Sequence, residues 1–120
     1  MYMNENEELN RFNYFGESPW TLEEGIDICR QIEAKISSWG FHCGLTGSCL
    51  FRGQSSKDLD IIIYPHKYVG ENYSITDVVE VLKQSFCKEL EPIDHRHYND
   101  FKTVYWGDFQ NKRIDFFFLK

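Results

Sequence analysis

The chain has 120 residues, of which 42% are hydrophobic and 17% aromatic, and it carries a net charge of −6. That length and apolar content suit one ordered domain with its own core, and no run approaches the ~20 apolar residues that span a bilayer. The acidic balance disfavours an extended nucleic-acid footprint, which needs clustered Lys and Arg to displace counterions. Cys29, Cys43, Cys49 and Cys87 are scattered, with no Cys-x-x-Cys. The opening MYMNENEELNRF is too acidic and polar for a secretory signal. A cytoplasmic protein with free thiols is therefore expected, in preference to a secreted one with disulfides.

Residues 1–19 have no hydrophobic period and are rich in Asn and Glu, so an irregular arm is expected, with Phe12, Tyr14 and Phe15 available to pin it to the body. Thr21 followed by Glu24 fits a capping box and opens a helix predicted from Leu22 to Trp39. Ile28, Ile32 and Ile36 recur at helical spacing, with Cys29 and Trp39 near the same stripe, and Gly40 supplies a stop. Phe41 to Thr46 is the first predicted strand. It ends in a Gly47-Ser48 turn. Glycine takes backbone angles closed to other residues and lets an anion approach the main chain. Amides at such a turn, and a short helical turn after it, point at an anion, and Ser48 adds a hydroxyl. Taken alone, a Gly-Ser pair is ordinary turn chemistry.

Arg52, Gln54, Ser55, Ser56 and Lys57 form a polar connector. Arg52 and Lys57 are candidates for meeting phosphate charge; solvated loop charges are the alternative. Asp58 to Tyr64 reads as a second strand, ended by Pro65. Side chains alternate along a strand, so Asp58 and Asp60 share one face and Leu59 and Ile61 the other. The unbroken Ile61-Ile62-Ile63 predicts a central strand buried on both faces. Two carboxylates on one face repel each other unless a cation or hydrogen bonds compensate. Magnesium favours such carboxylate oxygens combined with phosphate oxygens.

His66 to Tyr73 is read as a loop, and Ser74 with Asp77 as a second capping box. Val78, Val81, Leu82, Phe86 and Leu90 mark a second helix over Ile75 to Leu90, followed by Pro92. His95 and His97 share a face if their segment is extended. Zinc, a solvated strand, or contact with a base or sugar are the open readings there. Phe101 to Trp106 and Lys112 to Leu119 read as a hairpin around Gly107, Asp108, Gln110 and Asn111. Within its last strand, Asp115 sits between Ile114 and Phe116-Phe117-Phe118. A charge there is costly unless it is metal-bound or salt-bridged to Lys or Arg.

The stretch from Gly44 to Pro65 resembles the signature of the DNA polymerase β-like nucleotidyltransferase superfamily. The matching residues are Gly47-Ser48, a spacer, and Asp58-Leu59-Asp60 at a strand start, with Asp115 as a third acid from a later strand. The likeness covers residues 44–120. The family often has Ser immediately before Asp-x-Asp, where this chain has Lys57, as in some tRNA-tailing relatives. The expected fold is α+β: a mixed, mainly antiparallel sheet of four or five strands, covered by two main helices, with the acids lining a shallow cleft.

The resemblance implies two magnesium ions and a nucleoside triphosphate. Asp58 and Asp60 would bind both ions, and Asp115 the one that activates the acceptor hydroxyl. Gly47 and Ser48 would hold the β- and γ-phosphates. The chain is close to a minimal catalytic core. A small acceptor, a partner protein or a homodimer then completes the site, and minimal family members are often encoded beside a separate helical partner. A non-catalytic nucleotide- or partner-binding member of the same fold is the alternative. A chance likeness would leave Asp58 and Asp60 facing away from Ser48.

Overall fold

A computed structural model describes residues 19–66, 75–93 and 101–119. Phe12, Tyr14, Phe15, Ser74, His95 and His97 lie outside the described residues. Strand β1 (Trp20–Thr21) runs straight into helix α1 (Leu22–Ile36). The capping box expected at Thr21 is formed: its hydroxyl accepts from the Glu24 amide, and the Glu24 carboxylate accepts from the Thr21 amide. Ile28, Ile32 and Ile36 are all buried, so the isoleucine stripe faces the core. The helix is shorter than expected, because its last turn tightens into a 3₁₀ turn over Ser37–Trp39. Gly40 then adopts a left-handed φ of 84° and ends it. Trp39 lies off the stripe and is exposed.

Strand β2 (Phe41–Thr46) leads into a short helix, α2 (Gly47–Arg52), and then into β3 (Gln54–Ser55), which pairs with β1. Next come β4 (Asp58–Pro65), helix α3 (Ile75–Ser85), β5 (Leu90–Ile93), β6 (Phe101–Phe109) and β7 (Lys112–Leu119). The main sheet has the order β2-β4-β7-β6-β5. Every neighbouring pair is antiparallel except β4 and β7, which run parallel. The sheet is therefore mixed, five-stranded and mainly antiparallel, as expected.

Residues paired across strands share a face. Leu59 lies beside Ile114, Ile61 beside Phe116, and Ile63 beside Phe118. All six are fully buried, in one core with Ile28, Ile32 and Ile36 of α1 and Val78, Val79 and Leu82 of α3. The other face carries Asp58, Asp60 and Ile62 beside Arg113, Asp115 and Phe117. Ile62 is only half-buried, which corrects the expectation of a strand buried on both faces. β4 is central, but the two main helices contribute to the core on one side of it.

Two further boundaries differ from the sequence reading. Helix α3 stops at Ser85, where the amides of Phe86 and Cys87 both bond to the Leu82 carbonyl. Leu90 opens the edge strand β5, opposite Gly107. Pro92 is tolerated within it because an edge strand has a free side. The hairpin turn is also tighter than expected. Gly107 and Asp108 belong to β6, and the reversal is made by Gln110 and Asn111 alone, with φ of 50° and 67°. Among the described residues, no helix is long and apolar enough to cross a membrane.

Ile61 is fully buried at the centre of this core. Ile61→Ala should lower the unfolding free energy by about 3 kcal/mol in denaturant titration. A loss under about 1 kcal/mol would mean that β4 is not packed as described.

Candidate functional site

Three acids meet where β4 and β7 begin. The parallel register places Asp60 beside Asp115 and Asp58 beside Arg113. One carboxylate oxygen from each of Asp58, Asp60 and Asp115 lies within 4.8 Å of the other two. Asp115 is only 7% exposed. Arg113, two residues earlier on the same face, grips it with both arms: Nε donates to Oδ1 at 2.7 Å and Nη2 to Oδ2 at 3.3 Å. The salt-bridged reading of Asp115 holds, and the residue also lies close to both other acids.

The electrostatics follow from burial and crowding. Burial, then the negative charges of Asp58 and Asp115, push Asp60 up to about 7; Arg113 opposes this. Burial pushes Asp115 up to about 6, although the Arg113 guanidinium pulls the other way. A cluster of this kind, all hard oxygen donors with a single arginine against three carboxylates among the described residues, is chemically suited to a divalent cation.

Gly47 is bound to this cluster by geometry. Thr46 pairs with Asp60 across β2 and β4, so the chain turns directly beside that carboxylate. Gly47 has a φ of 73°, and a Cβ built on it would overlap the Asp60 carboxylate. A glycine is required here both for the backbone angle and for the space. The next residue, Ser48, is exposed at the start of α2. Ser48, Arg52, Lys57 and Asp58 line one cleft of about 460 Å³ with Gln54, Ser55, Ser56 and Pro19. Asp58 thus does not face away from Ser48.

Several residues that hold this arrangement were not assigned a role from sequence. Ser55 is buried, and its hydroxyl accepts from the amides of Asp58 at 3.3 Å and Lys57 at 3.4 Å, which fixes the entry to β4. Trp20 is buried, its indole N–H donates to the Arg113 carbonyl at 2.8 Å, and its ring stacks on Phe109. Lys112 sits 4.5 Å over the same ring and bonds Glu24 at 2.9 Å. At Gly25, helix α1 comes so close to the sheet that a Cβ would lie 3.0 Å from Leu59, the residue between the two β4 acids. Arg113 had a readable signal, since a cation two residues from an acid on one strand shares its face. Trp20 and Ser55 had none, because their partners are distant in sequence or main-chain amides.

No protein-family model matches the chain, and no curated protein sequence does. Solved structures do. One is the crystal structure of Leishmania infantum polymerase beta in a ternary gap complex, at a TM-score of 0.60 and 13% identity. The fold is polymerase β-like. The match covers 90% of this chain and 40% of the polymerase chain, so it bears on less than half of that enzyme.

Asp60 keeps its proton up to about 7, whereas an unfolded Asp releases it near ~3.9. The folded state therefore binds that proton more tightly than the unfolded chain. Its contribution to stability is full below about pH 4 and is lost as pH rises through about 7. In metal-free buffer at pH 8, Asp60→Asn should raise Tm by about 5 °C or more, with the gain shrinking towards pH 4. A lower Tm for the variant at pH 8 would contradict the crowded-acid geometry. Gly47→Ala should lower Tm at either pH, through the strained φ and the clash with Asp60.

Proposed function

We propose that this chain is a nucleotidyltransferase that moves a nucleoside monophosphate from a nucleoside triphosphate to an acceptor hydroxyl. The observation that carries this reading is the meeting of Asp58, Asp60 and Asp115 beside the Gly47 turn. The polymerase β-like fold supports it. The donor set fits magnesium, with oxygen ligands only and room beside them in a cleft lined by Ser48, Arg52 and Lys57.

Bound magnesium would supply positive charge to the attacking and leaving oxygens of an in-line displacement. The chain's own residues do the rest. Asp58 and Asp60 would hold both ions through their carboxylate oxygens. Asp115 would bind the ion that activates the acceptor hydroxyl and would help take its proton. The Gly47 amide and the Ser48 hydroxyl hold the β- and γ-phosphates. Arg52 and Lys57, on the rim of the same cleft, neutralise the remaining phosphate charge.

The Arg113 fork on Asp115 favours a second reading, a nucleotide-binding member that does not transfer, because both oxygens of the third acid are engaged. Calorimetric titration of the four ribonucleoside triphosphates with magnesium, into wild type and the Asp58→Asn/Asp60→Asn variant, tests both readings when paired with a pyrophosphate-release assay. Binding that needs magnesium and both acids, followed by pyrophosphate release once an acceptor is supplied, is the expected result. Binding without release in any acceptor screen would select the second reading. No binding to any triphosphate would remove both.

A further inference from the structure

At the end of the sheet face away from the acids, two histidines meet. His42 on β2 pairs with Tyr64 on β4, and both lie on the face that carries Asp60 and Ile62. The ladder runs one step further, since the His66 amide donates to the Gly40 carbonyl at 2.7 Å. His66 therefore follows Tyr64 on that same face, opposite a glycine that puts no side chain beside it. The imidazole centres of His42 and His66 lie 5.3 Å apart, with the rings tilted by 54°. Glu33 of α1 holds one of these rings. β2 is the outer strand in the sheet order, and the Glu33 carboxylate reaches over that edge. Its Oε1 accepts from the Cys43 amide at 3.0 Å, and its Oε2 lies 2.5 Å from His42 Nδ1.

We infer that His42 and His66 form a site for a borderline divalent transition cation, with zinc as its representative, and that Glu33 is the positioning residue of that site. An ionised carboxylate can only accept, so its contact with His42 fixes the tautomer: Nδ1 carries the proton and Nε2 the lone pair. Metal-binding imidazoles are held in this way, the second ring nitrogen donating to a carboxylate or carbonyl. The spacing of the rings fits as well. With Zn–N bonds of about 2.05 Å, each ring centre lies ~3.2 Å from the ion, and two rings at the tetrahedral angle stand ~5.2 Å apart. The observed separation is 5.3 Å. Imidazole nitrogens suit zinc, nickel or copper, whereas the all-oxygen acid cluster suits magnesium. The two sites also differ in place, since Thr46, beside Asp60, lies four residues along β2 from His42. Two protein ligands leave the remaining positions to water. A bound ion would tie α1, β2 and the end of β4 together through Glu33, His42 and His66, and it needs neither the acids nor a nucleotide.

The test is calorimetric titration of zinc chloride into the reduced protein, with magnesium in excess to occupy the acids. One ion per chain is the expected stoichiometry. His42→Ala and His66→Ala should each weaken binding by about tenfold or more, and Glu33→Gln by about tenfold through loss of the positioning carboxylate. Where an alanine variant does not fold, His42→Gln or His66→Gln takes its place. Asp58→Asn/Asp60→Asn, Cys29→Ser/Cys43→Ser and His95→Ala/His97→Ala should leave the affinity within about twofold. Zinc should raise the Tm of wild type but not that of His42→Ala. Cobalt in place of zinc should give only weak visible bands, without the intense near-ultraviolet band of a thiolate ligand. The site is overturned by no zinc binding below millimolar concentration, by unchanged affinity in either His42 or His66 variant, by loss of binding with the acids, the cysteines or His95 and His97, or by a thiolate band with cobalt. Unchanged affinity in Glu33→Gln would overturn the positioning role.

Discussion

The parallel pairing of β4 with β7 is the constraint on which the rest of the molecule depends. One register sets both the core and the acid cluster. Leu59, Ile61 and Ile63 meet Ile114, Phe116 and Phe118 on the helix-covered face, and Asp60 meets Asp115 on the other. A slip of one residue would turn Asp115 into the apolar layer and carry Phe116 to the acid face. Burying a carboxylate without a partner costs several kcal/mol, and exposing a phenylalanine forfeits roughly 2 kcal/mol more. Core packing, not any attraction among the acids, therefore holds the acids together.

That arrangement works against the folded state in the absence of a cation. Among the described residues, three carboxylates converge with one guanidinium, which forks onto Asp115. Asp60 receives no such fork among the described residues, and burial beside Gly47 together with the charges of Asp58 and Asp115 raises its proton affinity. Here the two most shifted carboxylates are also the two placed side by side by the β4–β7 register.

A small framework keeps this strained end of the sheet in place. β1 and β3 form a two-stranded ribbon beside it, and the Leu22 amide bonds to the Gly53 carbonyl. Trp20 reaches from that ribbon to the Arg113 main chain, Cys49 reaches back to Thr21, and Ser55 secures the amides that open β4. The segment before the first long helix thus belongs to the site's support, and the close approach of α1 at Gly25 fixes the depth of Leu59 behind the acids.

The sequence by itself determined whatever depends on local period and local caps. The Thr21–Glu24 box, the Ile28–Ile32–Ile36 stripe, the shared face of Asp58 and Asp60, and the Gly47 turn could all be read within a few residues of each feature. Where a local pattern had two solutions, the tertiary structure chose. Leu90 continued an apolar helical period, yet pairing with Gly107 made it a strand; three consecutive isoleucines suggested two covered faces, yet the main helices joined the core on one. Only the sheet order could bring Asp115 to Asp60 and give the Gly47 Cα a carboxylate as its neighbour. Those contacts join residues up to 55 positions apart. Nothing in a window of periodicity encodes them, because strand order is decided by how all the apolar faces find cover at once.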